Sequence, residues 1–338
     1  DVYKRQILGA FKGYFRTEAS DLTFMIPYGT DSQNRFENLC DVLTWIHCTT
    51  NAKVIIHINE RKDIFQSFTW FDWEIIFESE VLSQEDKIEE IKKILFDNMC
   101  IHRLHKKELD QKFFKMDDFY RHFADRVEII LQKRDLGEPY HRTKYLNEIL
   151  EVVKTPLAAN HDADIILTKT GLNSALSYLR DTNVDVVYPY GYGENQIQIH
   201  TRTGPLSVPC EKLVTCGEST MMLQKIGYGT MFWDAAYGQS IIYKTSSYKK
   251  MGGENENFIS WGPEDVERYV RAVRLGFKVA RIDTMIFHLE HPRGGDSSKE
   301  NSKFNHNEEL WEKIQNMSNE QLVDYYANCE YAKKYSWS

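Results

Sequence analysis

In Asp162-Ala163-Asp164, two carboxylates flank one small residue just ahead of the apolar run Ile165-Ile166-Leu167. Both can face one point. Hard divalent cations take such oxygens and grip nucleotide phosphates through the same ion. The chain has 50 acidic residues against 42 basic ones, so D-x-D also arises by chance. Alone, it reads as a solvated turn.

A second group shifts that reading. Met251 to Arg268 contains Gly252-Gly253, which permits a tight turn, and Trp261-Gly262-Pro263-Glu264-Asp265. An indole offers the flat wall a sugar ring prefers. Pro263 suits the first position of a helix, with Glu264 and Asp265 in its first turn. These acids complement the helix dipole, and one of them can also serve as a general base, held ionised by the helix N-terminus. A third group is His288-Leu289-Glu290-His291, two imidazoles three residues apart that can complete a metal site. A lone His is more often a core or surface residue, but a pair near a strand end, downstream of D-x-D, carries more weight. The run Pro292 to Ser298 then reads as a flexible loop able to fold over a ligand. The fourth group is Tyr140-His141-Arg142, followed by Lys144. It reads equally as a helix start with solvated charges or as an aromatic and cations for a base and its phosphates.

These groups need elements to hold them. Asp21 to Tyr28 reads as a buried strand ended by Pro27, Phe36 to Ile46 as a helix, and Lys53 to Ile58 as a second strand. That is the opening of a nucleotide-binding α/β fold, whose ligands sit beyond the carboxyl ends of the strands. Residues 61–125 read as a largely helical insertion, equally a lid or a partner surface, with an amphipathic helix over Gln84 to Asn98. Further strands are expected at Arg126–Leu131, Asp185–Tyr188, Ser240–Tyr243 and Lys278–Ile282, with a strand end at Ile286–His288. Helices are expected at Lys144–Val153 and Glu264–Leu275, and Asn307 to Tyr335 reads as a polar helical tail.

Composition narrows the class. With 338 residues, 42% of them hydrophobic, there is length for a real core. A net charge of -8 gives a nucleic-acid role no general support. The six cysteines form no C-x-x-C pair, which favours reduced thiols in a cytosolic protein. No apolar run is long enough to span a membrane, and the start carries no signal-peptide pattern. The chain does not begin with Met, and Asp1 to Gln6 reads as a cloning or assembly remnant, which leaves room for a segment upstream.

In this order, Met25-Ile26-Pro27-Tyr28 with Arg35, then Tyr140 to Arg142 with Leu146-Asn147, Asp162 to Asp164, Gly252-Gly253, Trp261 to Asp265 and His288 to His291 resemble the β-1,4-galactosyltransferase family. They also resemble the related bacterial capsule polymerases and polypeptide N-acetylgalactosaminyltransferases. The resemblance covers about residues 21–293 apart from the insertion. It implies the GT-A fold of nucleotide-diphospho-sugar transferases, an α/β fold with a central mixed sheet flanked by helices. Residues 1–20 would then be a lead segment, 21–293 the catalytic domain interrupted at 61–125, and 294–338 a loop and helical tail.

The resemblance also implies roles. Asp164 and His291 would ligate an ion, Mn²⁺ or Mg²⁺, with His288 where the galactosyltransferases place a Met ligand. Asp162 would contact ribose or the metal shell. Pro27, Tyr28, Arg35, Tyr140 and Arg142 would hold the nucleotide, Gly238 would meet the donor sugar, and Trp261 would line the donor and acceptor pockets. Asp265 would be the base, with Glu264 orienting the acceptor. Pro263 departs from the family's Gly, and the insertion has no counterpart. Ala236 falls where the family carries a bulky aromatic, which leaves room for an N-acetyl group. The expected function is inverting transfer of a hexose or N-acetylhexosamine from a UDP-sugar to a glycan or glycolipid acceptor, in the cytoplasm or peripherally at the inner face of a membrane. The rivals are a sugar-nucleotide nucleotidyltransferase, whose Gly-rich loop is missing from Gly29 to Arg35, and a non-catalytic sugar-binding protein.

Overall fold

The computed structural model describes residues 17–30, 32–61, 76, 79–99, 123–135, 137–199, 229–231 and 237–335. The sheet is built around β1 (Leu22–Gly29), every residue of which is buried. Its neighbours are β2 (Lys53–Arg61) on one side and β4 (Leu157–His161) on the other, both parallel to it. Continuous apolar strands of this kind belong to a sheet covered on both faces. Beyond β2 lies β3 (Val127–Arg134), also parallel. Beyond β4 lies β9 (Ser240–Lys244), antiparallel to β4 and to the next strand, β6 (Val186–Tyr188). β10 (Val279–Arg281) closes the edge of the seven-stranded mixed sheet, in the order β10-β6-β9-β4-β1-β2-β3.

Pro27 does not end β1, which runs on to Gly29. A proline is tolerated in an inner strand where one neighbour has gone. β4 pairs with β1 only as far as Met25–Asn160, two residues earlier.

The helices cover the sheet through apolar faces. α1 (Gln33–Thr49) is capped by Ser32 and buries Leu39, Val42, Leu43 and Ile46. Its Trp45 meets Phe24 of β1 edge to face at 5.8 Å. α2 (Gln84–Asn98) is the helix of the insertion that the described residues 61, 76, 79–99 and 123–125 contain in full. A Ser83–Asp86 capping box starts it, and it buries Ile91, Leu95 and Phe96 in the same core as α1. That helix is packed into the body of the protein. Insertion residues 62–75, 77–78 and 100–122 lie outside the described residues. α3 (Arg142–Val152) follows β3. Two helices were not anticipated: α4 (Lys169–Asp181), capped by Thr168, and the short α5 (Thr245–Lys250). α6 (Glu264–Arg274) begins after Pro263, which therefore caps the helix instead of occupying its first position.

A second sheet was also not anticipated. It runs β5-β11-β7-β8, from β5 (Ile165–Leu167), β11 (Ile286–Leu289), β7 (Gln196–Ile199) and β8 (Gly229–Met231). The expected strand end at Ile286 to His288 belongs here, antiparallel to β5 and parallel to β7. The tail forms α7 (Phe304–Gln315), α8 (Asn319–Ala327) and α9 (Glu330–Lys333). These gather a small core of their own around Phe258, with Ile314, Leu322, Tyr326 and Tyr331. Tyr326 also packs under α6, with the Arg271 guanidinium 4.4 Å from its ring.

Candidate active site

The cleft opens at the carboxyl ends of the parallel strands, where α/β sheets hold ligands. Its cavity volume is about 210 Å³, and Pro27, Arg35, Tyr140, Arg142, Asp162, Asp164, Trp261, Glu264, Asp265, His288 and His291 line it. The topology explains the convergence. β4 ends at His161 and releases Asp162 into the cleft. His161 pairs with Ser240 at the start of β9, so Gly238 and Gln239 arrive at the same edge.

Asp162 to Asp164 is a turn shaped from below. His161 is fully buried, its Nδ1 on the Ser240 hydroxyl at 2.8 Å and its Nε2 on the Ile165 carbonyl at 3.0 Å. Burial holds this imidazole neutral, pulling its pKa down to about 4. Its ring stacks on Trp45 at 5.8 Å. The Asp162 main-chain N–H donates to the Gln239 carbonyl at 2.9 Å. The two aspartates then part company. Asp162 Oδ1 accepts from Arg142 Nη2 at 2.6 Å and Nε at 3.2 Å. Asp164 faces the histidines, with Oδ2 3.0 Å from His291 Nε2 and Oδ1 3.9 Å from His288 Nε2.

Ligand atoms of Asp164, His288 and His291 all lie within 4.8 Å of one another. Two main-chain links fix this group. The Leu289 N–H donates to the Asp164 carbonyl at 2.8 Å. From α1, the buried Asn38 donates Nδ2 to the Leu289 carbonyl at 3.1 Å and to that of Glu290 at 3.4 Å. His291 Nδ1 faces the Pro292 carbonyl at 2.8 Å, so that nitrogen carries the hydrogen. Nε2 is then the nitrogen that faces the Asp164 carboxylate, and an imidazole nitrogen and a carboxylate oxygen this close can share a cation. Burial works to raise the Asp164 carboxyl, but His288, His291 and Arg35 hold it well below the usual carboxylate range. Burial lowers the His288 pKa, against the pull of Asp164. Two imidazoles and one carboxylate suit a transition-metal ion better than Mg²⁺, which prefers oxygen and water.

The acidic pair at the start of α6 faces this group across Arg142. Asp265 Oδ1 accepts from Arg268 Nη2 at 2.5 Å and lies 3.5 Å from Arg142 Nη1. Glu264 behaves differently from the expected ionised carboxylate. Burial, with Asp265 beside it, pushes its carboxyl up to about 8 despite the helix N-terminus. Its Oε2 accepts the Gly262 N–H at 3.0 Å.

Gly238 and Tyr28 do not line the cleft. Gly238 lies behind Asp265, and a β-carbon there would come within 2.4 Å of Asp265 Oδ2. Tyr28 is buried in the core. Ala236 and the stretch around it, Trp233 to Ala236, lie outside the described residues.

Sequence reasoning missed Asp296, which closes one wall. Its carboxylate accepts from Arg134 at 2.9 Å and from the Tyr140 N–H at 3.3 Å. Its carbonyl accepts from the Ser260 hydroxyl at 2.7 Å and the Trp261 N–H at 3.2 Å. The loop after His291 is thereby tied to the cleft, bringing Arg293 and Ser297 to its lining. Trp261 stacks on Phe304 of α7 at 5.7 Å. Ser260 and Gln239 are the non-glycine residues with positive φ among those described, at 65° and 69°. Strained backbone of this kind gathers at functional sites.

Residues 221–293, which include Gly238, Trp261, Asp265 and both histidines, match the family described as the N-terminal domain of galactosyltransferase. No curated protein sequence matches the chain. Among solved structures, it is similar to the catalytic domain of Drosophila β1,4-galactosyltransferase 7 in complex with xylobiose, at 14% identity and a TM-score of 0.37, covering 88% of this chain and 82% of that one. It is similar to the mannosyltransferase PcManGT of Pyrobaculum calidifontis in complex with GDP-Man and Mn²⁺, at 10% identity and a TM-score of 0.38, covering 87% and 68%. A third is TarS 1–349 of S. aureus in complex with UDP-GlcNAc, at 11% and 0.41, covering 82% and 60%. At these identities and scores, none of their ligands passes to this chain. Among the described residues, no helix is long and apolar enough to cross a membrane.

Proposed function

We propose that this protein is a metal-dependent, inverting glycosyltransferase moving a hexose or N-acetylhexosamine from a UDP-sugar to a hydroxyl of a glycan or glycolipid. The setting we infer is the cytoplasm, at the inner face of a membrane when the acceptor is lipid-linked. The observation that carries the reading is one cleft in which Asp164, His288 and His291 converge on one side and Asp265 and Trp261 stand on the other. A diphosphate leaving group develops charge as the glycosidic bond breaks, and a divalent cation held by Asp164, His288 and His291 would neutralise it as a Lewis acid.

The chain's own residues do the rest. Arg35, Tyr140 and Arg142 hold the nucleotide, with Pro27 shaping the floor beneath it. Asp162, oriented by Arg142, meets the ribose. Trp261 gives the sugar rings a flat wall. Asp265 removes the proton from the acceptor hydroxyl. The acceptor oxygen bonds to the anomeric carbon as the bond to the diphosphate breaks, and that electron pair leaves with the diphosphate. One base opposite one leaving group gives a single displacement with inversion. Glu264, protonated near neutral pH, donates a hydrogen bond to the acceptor.

The test is a panel of UDP-hexoses and UDP-N-acetylhexosamines with Mn²⁺, with and without a chelator. Donor turnover that vanishes on chelation and returns with Mn²⁺ supports the reading. Full turnover in excess chelator overturns it, and release of pyrophosphate from a nucleoside triphosphate with a sugar phosphate would indicate a nucleotidyltransferase.

A further inference from the structure

Arg268 lies three residues beyond Asp265 on α6 and is almost fully buried. Its guanidinium serves three acceptors. Nη2 donates to Asp265 Oδ1 at 2.5 Å and to the Tyr237 carbonyl at 3.2 Å, and Nη1 donates to Glu254 Oε2 at 2.7 Å. Glu254 is equally buried, and its other oxygen accepts the Tyr248 hydroxyl. The Asn147 amide of α3 locks Glu254 in place, accepting its main-chain N–H at 2.8 Å and donating to its carbonyl at 3.0 Å. The same helix sends Arg142 to the front of Asp265. One helix thus braces this carboxylate from two sides, directly through Arg142 and indirectly through Glu254 and Arg268.

A buried ion pair is a weak source of stability, because desolvation offsets the attraction. Well-packed apolar side chains would fill the space at no such cost. What they would not supply is a cationic fork joining Asp265 to the Tyr237 carbonyl. Both cations near Asp265 meet Oδ1, while Oδ2 lies over Gly238.

We propose that Arg268, anchored by Glu254, is a positioning residue that fixes the Asp265 carboxylate through Oδ1 and so holds it in place for the acceptor hydroxyl. This rests on the reading of Asp265 as the base. Lysine keeps the charge at position 268 but lacks the planar fork that spans all three acceptors.

The experiment compares Arg268→Lys with Asp265→Asn by steady-state kinetics and UDP binding with Mn²⁺. In Arg268→Lys, kcat should fall about a hundredfold, the cost of misplacing a reacting group by about 1 Å. Donor KM and UDP affinity should stay near wild type. Wild-type kcat in Arg268→Lys overturns the proposal, and so does an equal loss of UDP affinity, which marks a collapsed site. The double variant Arg268→Gln/Glu254→Gln removes both charges together and keeps a folded chain to measure should Lys fail to fold. It should show the same split, and wild-type kcat in it is equally decisive against the proposal. Asp265→Asn separates the two ideas. If it keeps turnover, the base reading fails. If it loses turnover while Arg268→Lys keeps it, only the positioning role fails.

Discussion

The main-chain N–H of Leu289 donates to the carbonyl of Asp164 at 2.8 Å, fastening the histidine pair to the aspartate turn through backbone alone. Leu289 is the last residue of β11, directly after His288, so the backbone that carries the candidate ligands is placed before any side chain chooses a rotamer.

The first prediction follows from that arrangement. Asp164→Asn and His291→Ala should abolish tight Mn²⁺ binding in a calorimetric titration. Asn38→Ala, which frees the Leu289 and Glu290 carbonyls without touching a ligand, should weaken it by about tenfold to a hundredfold. Unchanged Mn²⁺ affinity in Asn38→Ala would show that α1 does not orient the site.

Asp265→Asn should bind UDP and Mn²⁺ as the wild type does, because Arg142 and Asp164 remain. Transfer should slow by a factor of about 10²–10⁴, the usual worth of a general base. Single-turnover kinetics at saturating acceptor checks this. Near-normal turnover would leave Asp265 as a partner of the helix dipole and of Arg268.

Glu264 supplies a pH dependence. In the folded chain its carboxyl releases its proton at about 8, against an ordinary value of 4.5. Between these values the folded state holds the extra proton, so this group's contribution to stability falls as pH rises through the window. Glu264→Gln stays neutral and escapes that loss. Thermal melts should show the variant gaining on the wild type from the ordinary carboxylate range up to about pH 8, then keeping a constant lead. A lead that does not change with pH would mean that Glu264 is ionised throughout.

Gly238→Ala should damage catalysis without unfolding the chain. Its β-carbon would lie 2.4 Å from Asp265 Oδ2, so the carboxylate must move. The expected signature is a kcat lowered by tenfold or more, roughly the cost of a sub-ångström to one-ångström displacement, with UDP affinity retained. Equal kcat would show that Oδ2 has room to turn.

The lining of the cleft was legible where neighbouring residues supply it. Asp162 to Asp164, Trp261 to Asp265 and His288 to His291 each bring their groups together within a few residues, and all line one cleft. Tyr28 was misplaced for a reason visible in the sequence. Side chains alternate along a strand, so Pro27 and Tyr28 face opposite sides and only one can meet the cleft. Asn38 and Asp296 left no such trace. Asn38 acts on residues 251 positions away, and Arg134 meets Asp296 across 162. The second sheet escaped because β5 has three residues and β7 four, too few to show a period. His161 did carry a signal, since a histidine directly before two acids at the end of an apolar strand is placed to shape their turn.

β5 follows Asp164 directly, and its partner β11 carries His288 more than a hundred residues later in the chain. The two halves of the candidate metal centre therefore do not coexist until the second sheet has closed. Synthesis reaches Asp164 long before His291, so a nascent chain has no complete set of ligands to offer. An ion that binds only the closed form also holds it closed, by mass action. Metal uptake should then act as a latch on the last long-range strand pairing. Added Mn²⁺ should slow exchange of the β11 amides with solvent deuterium far more than exchange of the β2 amides.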